Sequence, residues 1–203
     1  MSGRVVFDFD KTLTYKDTLL GFFAACGEGR RFFHLRLTLY LGLSVLSKAG
    51  IISNRGLKHL GVRLFLSGLT RSEVSKAGQG YAASIRLNSV YFNEFKNRFP
   101  DAYIVSGSFP EYLLHLFRDD RLITSRIQYE DDKPVGLNRN CYRMEKLEML
   151  RENGVTEIDS FYTDSKSDLP LARMAGKIYL VKGDQVIPCD SVSDFCRKAG
   201  NFP

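Results

Sequence analysis

The chain has 203 residues, of which 44% are hydrophobic, and a formal net charge of +6 at pH 7. This length indicates one domain, or one with a large insertion, and the charge favours an anionic partner: a phosphorylated substrate, an acidic membrane surface or nucleic acid. Three separated histidines argue against a histidine metal site. Four scattered cysteines without a Cys-x-x-Cys pair argue against a disulfide scaffold, and no signal peptide is recognised. A reduced, cytoplasmic protein is therefore expected.

The first predicted element is a short buried strand, Val5 to Phe7, which is followed by Asp8, Asp10 and Thr12. Ligands of open α/β sheets bind at the carboxyl ends of the strands, which is where these acids fall. One carboxylate there can attack phosphorus and hold Mg²⁺, while a second can move a proton. Two ordinary acids in a turn would give the same short pattern, so this stretch alone leaves both interpretations open.

Residues 15–98 are predicted to be mostly helical, with a capping box formed by Thr70 and Glu73 at one helix start. Residues 37–47 form an uncharged run of eleven residues, well short of the ~20 needed to cross a bilayer. The favoured interpretation of this run is a buried helix in a small helical domain. The alternative is an apolar face that rests on an anionic membrane. The bases that flank it are Arg30, Arg31, Arg36 and Lys48.

A second apolar run, residues 102–105, ends in Ser106, Gly107 and Ser108. A hydroxyl and backbone amides at this position can bind a phosphoryl oxygen. The same residues can start a helix, and both roles are compatible if Ser106 binds phosphate while Ser108 is the N-cap. A third strand is predicted at residues 122–124. A hairpin over residues 126–137 is predicted to turn near residues 131–134.

The last third of the chain repeats the strand-then-polar pattern. A helix over residues 143–150 carries Lys146, which would by default be a solvated lysine. The predicted strand at residues 160–163 is followed by Asp164 and Asp168. A further strand is predicted at residues 177–181, and the remaining tail is expected to cover the sheet.

An acid pair, a hydroxyl, a lysine and a second acid pair, in this order after strand-like runs, resemble the four motifs of the haloacid dehalogenase (HAD) superfamily of phosphatases. The resemblance implies an α/β fold with a HAD-like Rossmannoid parallel sheet. Residues 1–14 and 99–203 would form this core domain, and residues 15–98 a helical C1 cap inserted after the first strand. Two departures are residues 142–145, which replace a glycine-containing approach to the lysine, and Thr163, where the family often has glycine.

The resemblance also implies a role for each motif residue. Asp8 is the nucleophile that forms an aspartyl-phosphate, and Asp10 is the general acid and base. Ser106 and Lys146 stabilise the phosphoryl oxygens. The cofactor Mg²⁺ is held by Asp8, by the backbone carbonyl of Asp10 and by Asp164. The supporting residues are Thr12, Gly107 and Asp168.

The substrate is left unassigned within phosphomonoester hydrolysis. Cap position and motif spacing resemble HAD subfamily IB, the phosphoserine phosphatase-like branch, in which an acid at the position of Asp17 contacts a substrate amine; Arg63 lies near that branch's cap arginine. The leucine-rich basic cap also resembles the phosphatidylglycerophosphatase C type, which acts on a lipid head group at the inner membrane face, so peripheral membrane contact is the alternative location. A nucleic-acid-binding module is disfavoured, because no basic block is interleaved with aromatics.

Overall fold

The core is a six-stranded sheet with a separate two-stranded hairpin, in a computed structural model that describes residues 4–200. In spatial order the sheet runs β3-β2-β1-β6-β7-β8, and all neighbouring pairs are parallel except the last. Strands β4 and β5 pair in the hairpin. The strands are β1 (Val5–Phe7), β2 (Tyr103–Ser106), β3 (Leu122–Thr124), β4 (Arg126–Glu130), β5 (Lys133–Arg139), β6 (Ile158–Thr163), β7 (Ala175–Lys182) and β8 (Gln185–Cys189).

Most helical residues lie between β1 and β2. The helices are α1 (Leu19–Gly27), α2 (Phe33–Lys48), α3 (Asn54–Gly61), α4 (Arg71–Ala82), α5 (Pro110–Leu113), α6 (Met144–Glu152), α7 (Leu169–Ala172) and α8 (Val192–Gly200). Two π-helical segments, Val62–Leu66 and Tyr91–Lys96, and two 3₁₀ turns, Asp119–Arg121 and Lys166–Asp168, complete them. The predicted capping box is confirmed at the start of α4. Within residues 4–200, no helix combines the length and the apolar character that spanning a membrane requires.

The strand order explains why distant motifs can meet. Val6 in β1 pairs with Tyr103 in β2 on one side and with Phe161 in β6 on the other. The three strands are parallel, so their carboxyl ends lie at the same edge of the sheet. The polar residues that follow these strands are therefore brought to one edge, and the predicted parallel α/β core is confirmed.

Two apolar clusters hold the sheet between helices. On one face Phe7 stacks on Tyr162 at 4.3 Å, and the edge of Phe95 meets Phe7 at 5.8 Å. The segment Tyr91–Lys96 thus packs on the sheet. An isolated bridge joins Thr14 to Leu87, so the chain leaves and rejoins the sheet region at adjacent points. The two-part division at residues 15–98 stays a prediction, and we propose that the inserted cap ends at this bridge.

The expectation that residues 37–47 form a buried helix is wrong. The run does form α2, but Tyr40 is its single buried residue, while Leu35 and Val45 are 67% and 66% exposed. Tyr40 packs edge-on against Phe23 at 5.5 Å, so one side of α2 covers the cap core. Within residues 4–200, α2 packs chiefly on α3 and the π segment after it, and its opposite side faces outward.

Candidate active site

Asp8 follows the end of β1 and is buried, with 6% of its surface exposed. Its backbone N–H donates to the carbonyl of Tyr162 (2.9 Å), which continues the pairing of β1 with β6. Thr12, which was predicted to be a supporting residue, has its Oγ1 3.4 Å from Asp8 Oδ2. Burial raises the pKa of Asp8 well above its usual range. The charge of Lys146 opposes this shift, and the charge of Asp168 adds to it. A carboxylate in this setting lacks solvation and is available to react or to bind a cation.

Lys146 joins two of the predicted acids. Its Nζ lies 2.6 Å from Asp8 Oδ1 and 2.8 Å from Asp168 Oδ1, and all three side chains are buried. Burial by itself lowers the pKa of Lys146, but the charges of Asp168 and Asp8 outweigh that effect and raise the pKa. Thr163 Oγ1 donates to Asp168 Oδ2 (2.8 Å), so Asp168 is itself held in place. The lysine that a sequence pattern alone would leave in solvent is thus a fixed cation against Asp8.

Asp10 is held by three hydrogen bonds. Thr18 donates its backbone N–H and its hydroxyl to Asp10 Oδ1 (2.7 and 2.6 Å), and Ser108 Oγ donates to Oδ2 (2.6 Å). Burial raises the pKa of Asp10 to about 6, with Asp17 adding to the shift, although the hydrogen bonds oppose it. A carboxyl group with this pKa can exist in both protonation states near neutral pH, as a general acid and base requires.

The loop after β2 departs from one prediction. Ser108 is not an N-cap: Phe109 holds that position without a side-chain cap bond, and the Ser108 hydroxyl donates to Asp10 instead. Ser106 is fully buried, and its Oγ accepts from the Ser108 backbone N–H (3.0 Å). Gly107 lines the cleft, and a Cβ atom there would lie 2.8 Å from Lys58 Nζ. Ser106 therefore shapes the loop, while Gly107 and Ser108 face the cleft.

Asp164, directly after β6, completes the acidic part of the site. Burial raises the pKa of Asp164 to about 6, and the nearby charge of Asp168 adds to the shift. Among residues 4–200, no three carboxylate, imidazole or thiol side chains stand in a metal-binding arrangement. The predicted Mg²⁺ site needs two, Asp8 and Asp164, together with the backbone carbonyl of Asp10. These hard oxygen donors suit Mg²⁺, and a divalent cation would favour the ionised forms of both acids, whose pKa values are raised by burial and by the nearby charge of Asp168.

A cleft of about 210 Å³ brings several of the predicted residues together, but Ser106, Thr12 and Asp168 are not among the residues that line it. It is lined by Asp8, Asp10, Gly107, Lys146 and Asp164 from the core motifs, and by Asp17. Asp17 is exposed and its Oδ1 accepts from the backbone N–H of Leu19 (3.0 Å). Arg63 is exposed in the π segment after α3 and is not among the residues that line this cleft.

Sequence reasoning missed Lys58, which, like Asn54, lines this cleft from α3. It is 4% exposed, and its Nζ donates to Gly107 O (2.7 Å), Asn140 Oδ1 (2.8 Å) and Ser125 Oγ (3.3 Å). Burial lowers the pKa of Lys58 to about 8. One lysine therefore ties the inserted helices to the loop after β2 and adds positive charge beside the cleft.

Arg143, just before α6, has φ +52° and ψ −121°, a backbone conformation that favours glycine. This position belongs to the stretch in which the sequence departs from the family's glycine-containing approach to the lysine. A non-glycine residue in such a region costs on the order of 1–3 kcal/mol. The turn that presents Lys146 to Asp8 is thus retained here without its usual residue.

The fold and this arrangement of residues define a class of hydrolase, and comparison with known proteins agrees. The family model described as haloacid dehalogenase-like hydrolase matches residues 5–173. This chain therefore belongs to the haloacid dehalogenase-like hydrolases, and the predicted superfamily, fold class and hydrolase class are confirmed.

Individual relatives span most of the chain. Protein CicA of Caulobacter vibrioides is 30% identical over 188 residues, which cover 84% of this chain and 82% of the relative. A protein of unknown function from Bordetella pertussis Tohama I has a similar crystal structure (TM-score 0.74, 13% identity), covering 97% of this chain and 95% of that one. A phosphoserine phosphohydrolase-like protein from Francisella tularensis subsp. tularensis SCHU S4 is similar over 87% and 85% of the two chains (TM-score 0.62, 16% identity). At these identities the two structures establish the fold alone.

Proposed function

We propose that this protein is a Mg²⁺-dependent phosphomonoester hydrolase that works through an aspartyl-phosphate on Asp8. The observation that carries the proposal is the buried pairing of Lys146 with both Asp8 and Asp168 beside a separately held carboxyl, Asp10. Asp8 and Asp10 have different partners and therefore different tasks. Asp8 faces a fixed positive charge, whereas Asp10 is surrounded by hydroxyl and amide donors.

The reaction divides into two displacements at phosphorus. In the first, an oxygen of Asp8 forms a bond to phosphorus while the bond to the leaving alkoxide breaks, and Asp10 gives that alkoxide its proton. In the second, Asp10 takes a proton from water as the water oxygen attacks phosphorus, and the Asp8 carboxylate leaves. Lys146 is placed to offset the negative charge that collects around Asp8.

Mg²⁺ would be held by Asp8, Asp164 and the backbone carbonyl of Asp10. When bound, it supplies positive charge that offsets the repulsion between the nucleophilic carboxylate and a phosphate dianion. The protein's own contribution is to hold these oxygens, the loop after β2 and Lys146 around one cleft. The Francisella tularensis structural relative, described as phosphoserine phosphohydrolase-like, is consistent with phosphomonoester chemistry on this fold.

The natural substrate stays unassigned, with two alternatives that differ in what binds the rest of the molecule. Asp17 lines the cleft, which supports recognition of an amine next to the phosphate, as in a phosphoserine-like metabolite. The exposed apolar side of α2 supports a phosphate on a lipid head group. The cytoplasmic location stays a prediction; Cys26, Cys141, Cys189 and Cys196 are free thiols, as a reduced compartment requires.

Hydrolysis of para-nitrophenyl phosphate tests the proposal. We expect Mg²⁺-dependent release of nitrophenolate by the purified protein, lost in excess EDTA and restored by added Mg²⁺. The matched control is a preparation that carries Asp8→Asn, purified identically, which measures contaminating phosphatase. Turnover by the wild type that persists at full rate in excess chelator would contradict the proposal, as would equal rates for the two preparations.

Lys58→Met tests whether the inserted helices support substrate binding. We expect KM for a phosphate monoester to rise about 10- to 100-fold, with kcat changed much less, because a charge-assisted tie to the loop after β2 is lost. Below pH 8 the ammonium attracts phosphate, and above pH 8 it loses its proton because burial lowers the pKa of Lys58 to about 8. The kcat/KM of the wild type should therefore fall as pH rises through about 8.

The matched control for Lys58→Met is Lys76→Met, which removes an exposed lysine from α4. It should leave KM and the pH profile unchanged. A Lys58→Met protein that binds substrate like the wild type and keeps the alkaline fall in kcat/KM would refute this role for Lys58.

A further inference from the structure

Helix α2 presents an apolar surface to solvent that the proposed hydrolysis does not use. We call it the α2 outer face. Its large exposed side chains, with the flanking residues of the same segment, are Phe32, Leu35, Leu39, Leu41, Val45, Leu46 and Ile51, each 40–71% exposed. Residues 35, 39, 42 and 46 follow one another at helical spacing, and 38, 41 and 45 lie beside them. Thr38 and Gly42 apart, all of these positions hold Leu or Val, and an apolar stripe of this kind marks a contact surface rather than scattered exposure.

The segment that contains this face carries charge of one sign. Residues 29–72 contain no Asp or Glu but carry eight Lys and Arg, although the whole chain has 23 acids. Some of these bases serve the fold: Arg30 donates to the carbonyls of Phe65 and Ser67. Arg31 and Lys48, at the two ends of α2, are exposed. The stripe is therefore bounded by cations with no acid in the same segment to neutralise them.

The start of α2 adds a second observation. Phe32 is 57% exposed and has φ +62°, a strained conformation for a bulky residue. Arg31 lies over its ring, 4.6 Å from the centroid. The strain thus presents an aromatic ring with a cation beside it to the outside, instead of burying the ring in the core. Aromatic and basic residues in this combination suit the interface between lipid head groups and acyl chains.

We propose that the α2 outer face docks on the surface of an anionic lipid bilayer, with α2 lying in the plane of the interface. A helix of 16 residues is about 24 Å long, shorter than the ~30 Å hydrocarbon core, which fits an interfacial helix. A second copy of the chain is disfavoured as the occupant, because a two-fold contact would oppose two basic, acid-free segments. The proposal does not depend on the proposed hydrolysis.

Docking this face would orient the cleft. The helix α2 packs on α3, and α3 carries Lys58 into the cleft. The bilayer would therefore touch the inserted helices and leave the sheet away from the lipid. This arrangement places the inserted helices, one of which lines the cleft, next to the membrane, and not the catalytic acids.

Flotation with lipid vesicles tests the proposal on the full-length protein. We expect binding to phosphatidylcholine vesicles that contain phosphatidylglycerol, and its loss as NaCl rises to about 0.5 M, where surface attraction is screened. Arg31→Gln with Lys48→Gln should weaken binding about 25-fold, since each charge contributes about fivefold. Leu39→Ser with Val45→Ser should weaken it about tenfold or more, because less apolar area enters the interface.

Two pairs of substitutions outside the inserted helices are controls for a general effect of charge or hydrophobicity on vesicle binding. Arg151→Gln with Lys177→Gln removes two exposed charges, and Phe92→Ser with Leu114→Ser removes two exposed apolar side chains. Both pairs should bind vesicles like the wild type, as should Asp8→Asn. A wild type that stays unbound at low salt would overturn the proposal. Equal weakening of vesicle binding by the control pairs would also overturn it. So would a wild type that does not float but forms a dimer, if Leu39→Ser with Val45→Ser disperses that dimer.

Discussion

Asp8→Asn is expected to lower kcat on a phosphate monoester by between about 10⁴- and 10⁶-fold, the scale on which loss of a covalent nucleophile acts. The amide keeps the shape of the side chain, but its oxygen is neutral and cannot displace an alkoxide from phosphorus. Stopped and continuous assays with and without Mg²⁺ measure the loss. A phosphorylated form of the wild type, trapped by rapid denaturation, should be absent from the variant.

The same substitution should not unfold the protein. Burial raises the pKa of Asp8, so at neutral pH its ionised form is disfavoured in the native state relative to the unfolded chain. Removing the charge therefore relieves a cost, and Lys146 keeps Asp168 as its partner. We expect the Tm of Asp8→Asn without Mg²⁺ to stay close to that of the wild type, because the relieved burial cost and the lost ion pair with Lys146 oppose each other. Added Mg²⁺ should raise the Tm of the wild type more than that of the variant, a metal readout independent of turnover.

An Asp8→Asn protein that is folded by circular dichroism and still turns over at the wild-type rate would exclude Asp8 as the nucleophile. The alternative explanation, that a misfolded variant gives a false loss of activity, is tested by the same melting curves. A loss of activity with an unchanged Tm assigns the effect to chemistry. Asp101→Asn, at an exposed acid outside the cleft, is the matched control and should change neither quantity.

The core of the site could be predicted from the sequence because its signals are local. Three of the four motifs are a short strand with polar residues at its end or directly after it, as in Phe7 followed by Asp8 and Thr163 followed by Asp164. The topological rule for parallel sheets then brings strand ends together without knowledge of any side-chain contact. The 2.6 Å distance from Lys146 to Asp8 was beyond that rule, since only the position of α6 against the sheet determines it.

Residues that reach the site from the inserted helices could not be predicted in this way. Lys58 lies among leucines in α3, and a lysine in that pattern is usually on the solvated side of an amphipathic helix. Its burial depends on how α3 is placed against the loop after β2. The bonds of Thr18 and Ser108 to Asp10 were missed for a related reason: a short hydroxyl side chain can cap a helix, as was expected of Ser108, and here both bind Asp10 instead.

For α2, sequence reasoning predicted burial where the structure shows exposure. Its sequence is uncharged from residue 37 to residue 47, and hydrophobicity alone favoured burial. Burial needs a neighbour on each apolar side, and α2 has one mainly on the side of Tyr40. Composition gives the number of apolar residues in a helix, but it does not give the number of neighbours that cover them. The exposed side of α2 is the observation on which the proposed contact with an anionic membrane rests.

Asp10→Asn is expected to separate the two halves of the reaction. General acid–base help typically contributes ~10²–10⁴-fold, so turnover should fall by that amount. A nitrophenolate leaving group departs without a proton, whereas attack by water on the aspartyl-phosphate needs a base. With para-nitrophenyl phosphate, the variant should therefore release a burst of product equal to the enzyme concentration, followed by a slow steady state. Rapid-mixing absorbance measures both phases.

The geometry around Asp10 makes this substitution interpretable. An asparagine oxygen can still accept from the backbone N–H and hydroxyl of Thr18, and its amide can donate to Ser108 Oγ, so the loop after β2 should keep its place. Burial raises the pKa of Asp10 to about 6, so ionised Asp10 costs stability above pH 6 and its loss should not lower the Tm at pH 7. For alkyl phosphates, which need the protonated form, kcat/KM of the wild type should fall as pH rises through about 6, and the variant should lack this fall.

Because the metal contact of Asp10 would be its backbone carbonyl, the Mg²⁺ concentration that gives half-maximal stabilisation should shift much less than in Asp8→Asn. Equal weakening of Mg²⁺ binding in the two variants, or a slow phase without a burst, would show that these carboxyls do not divide the work as their contacts indicate.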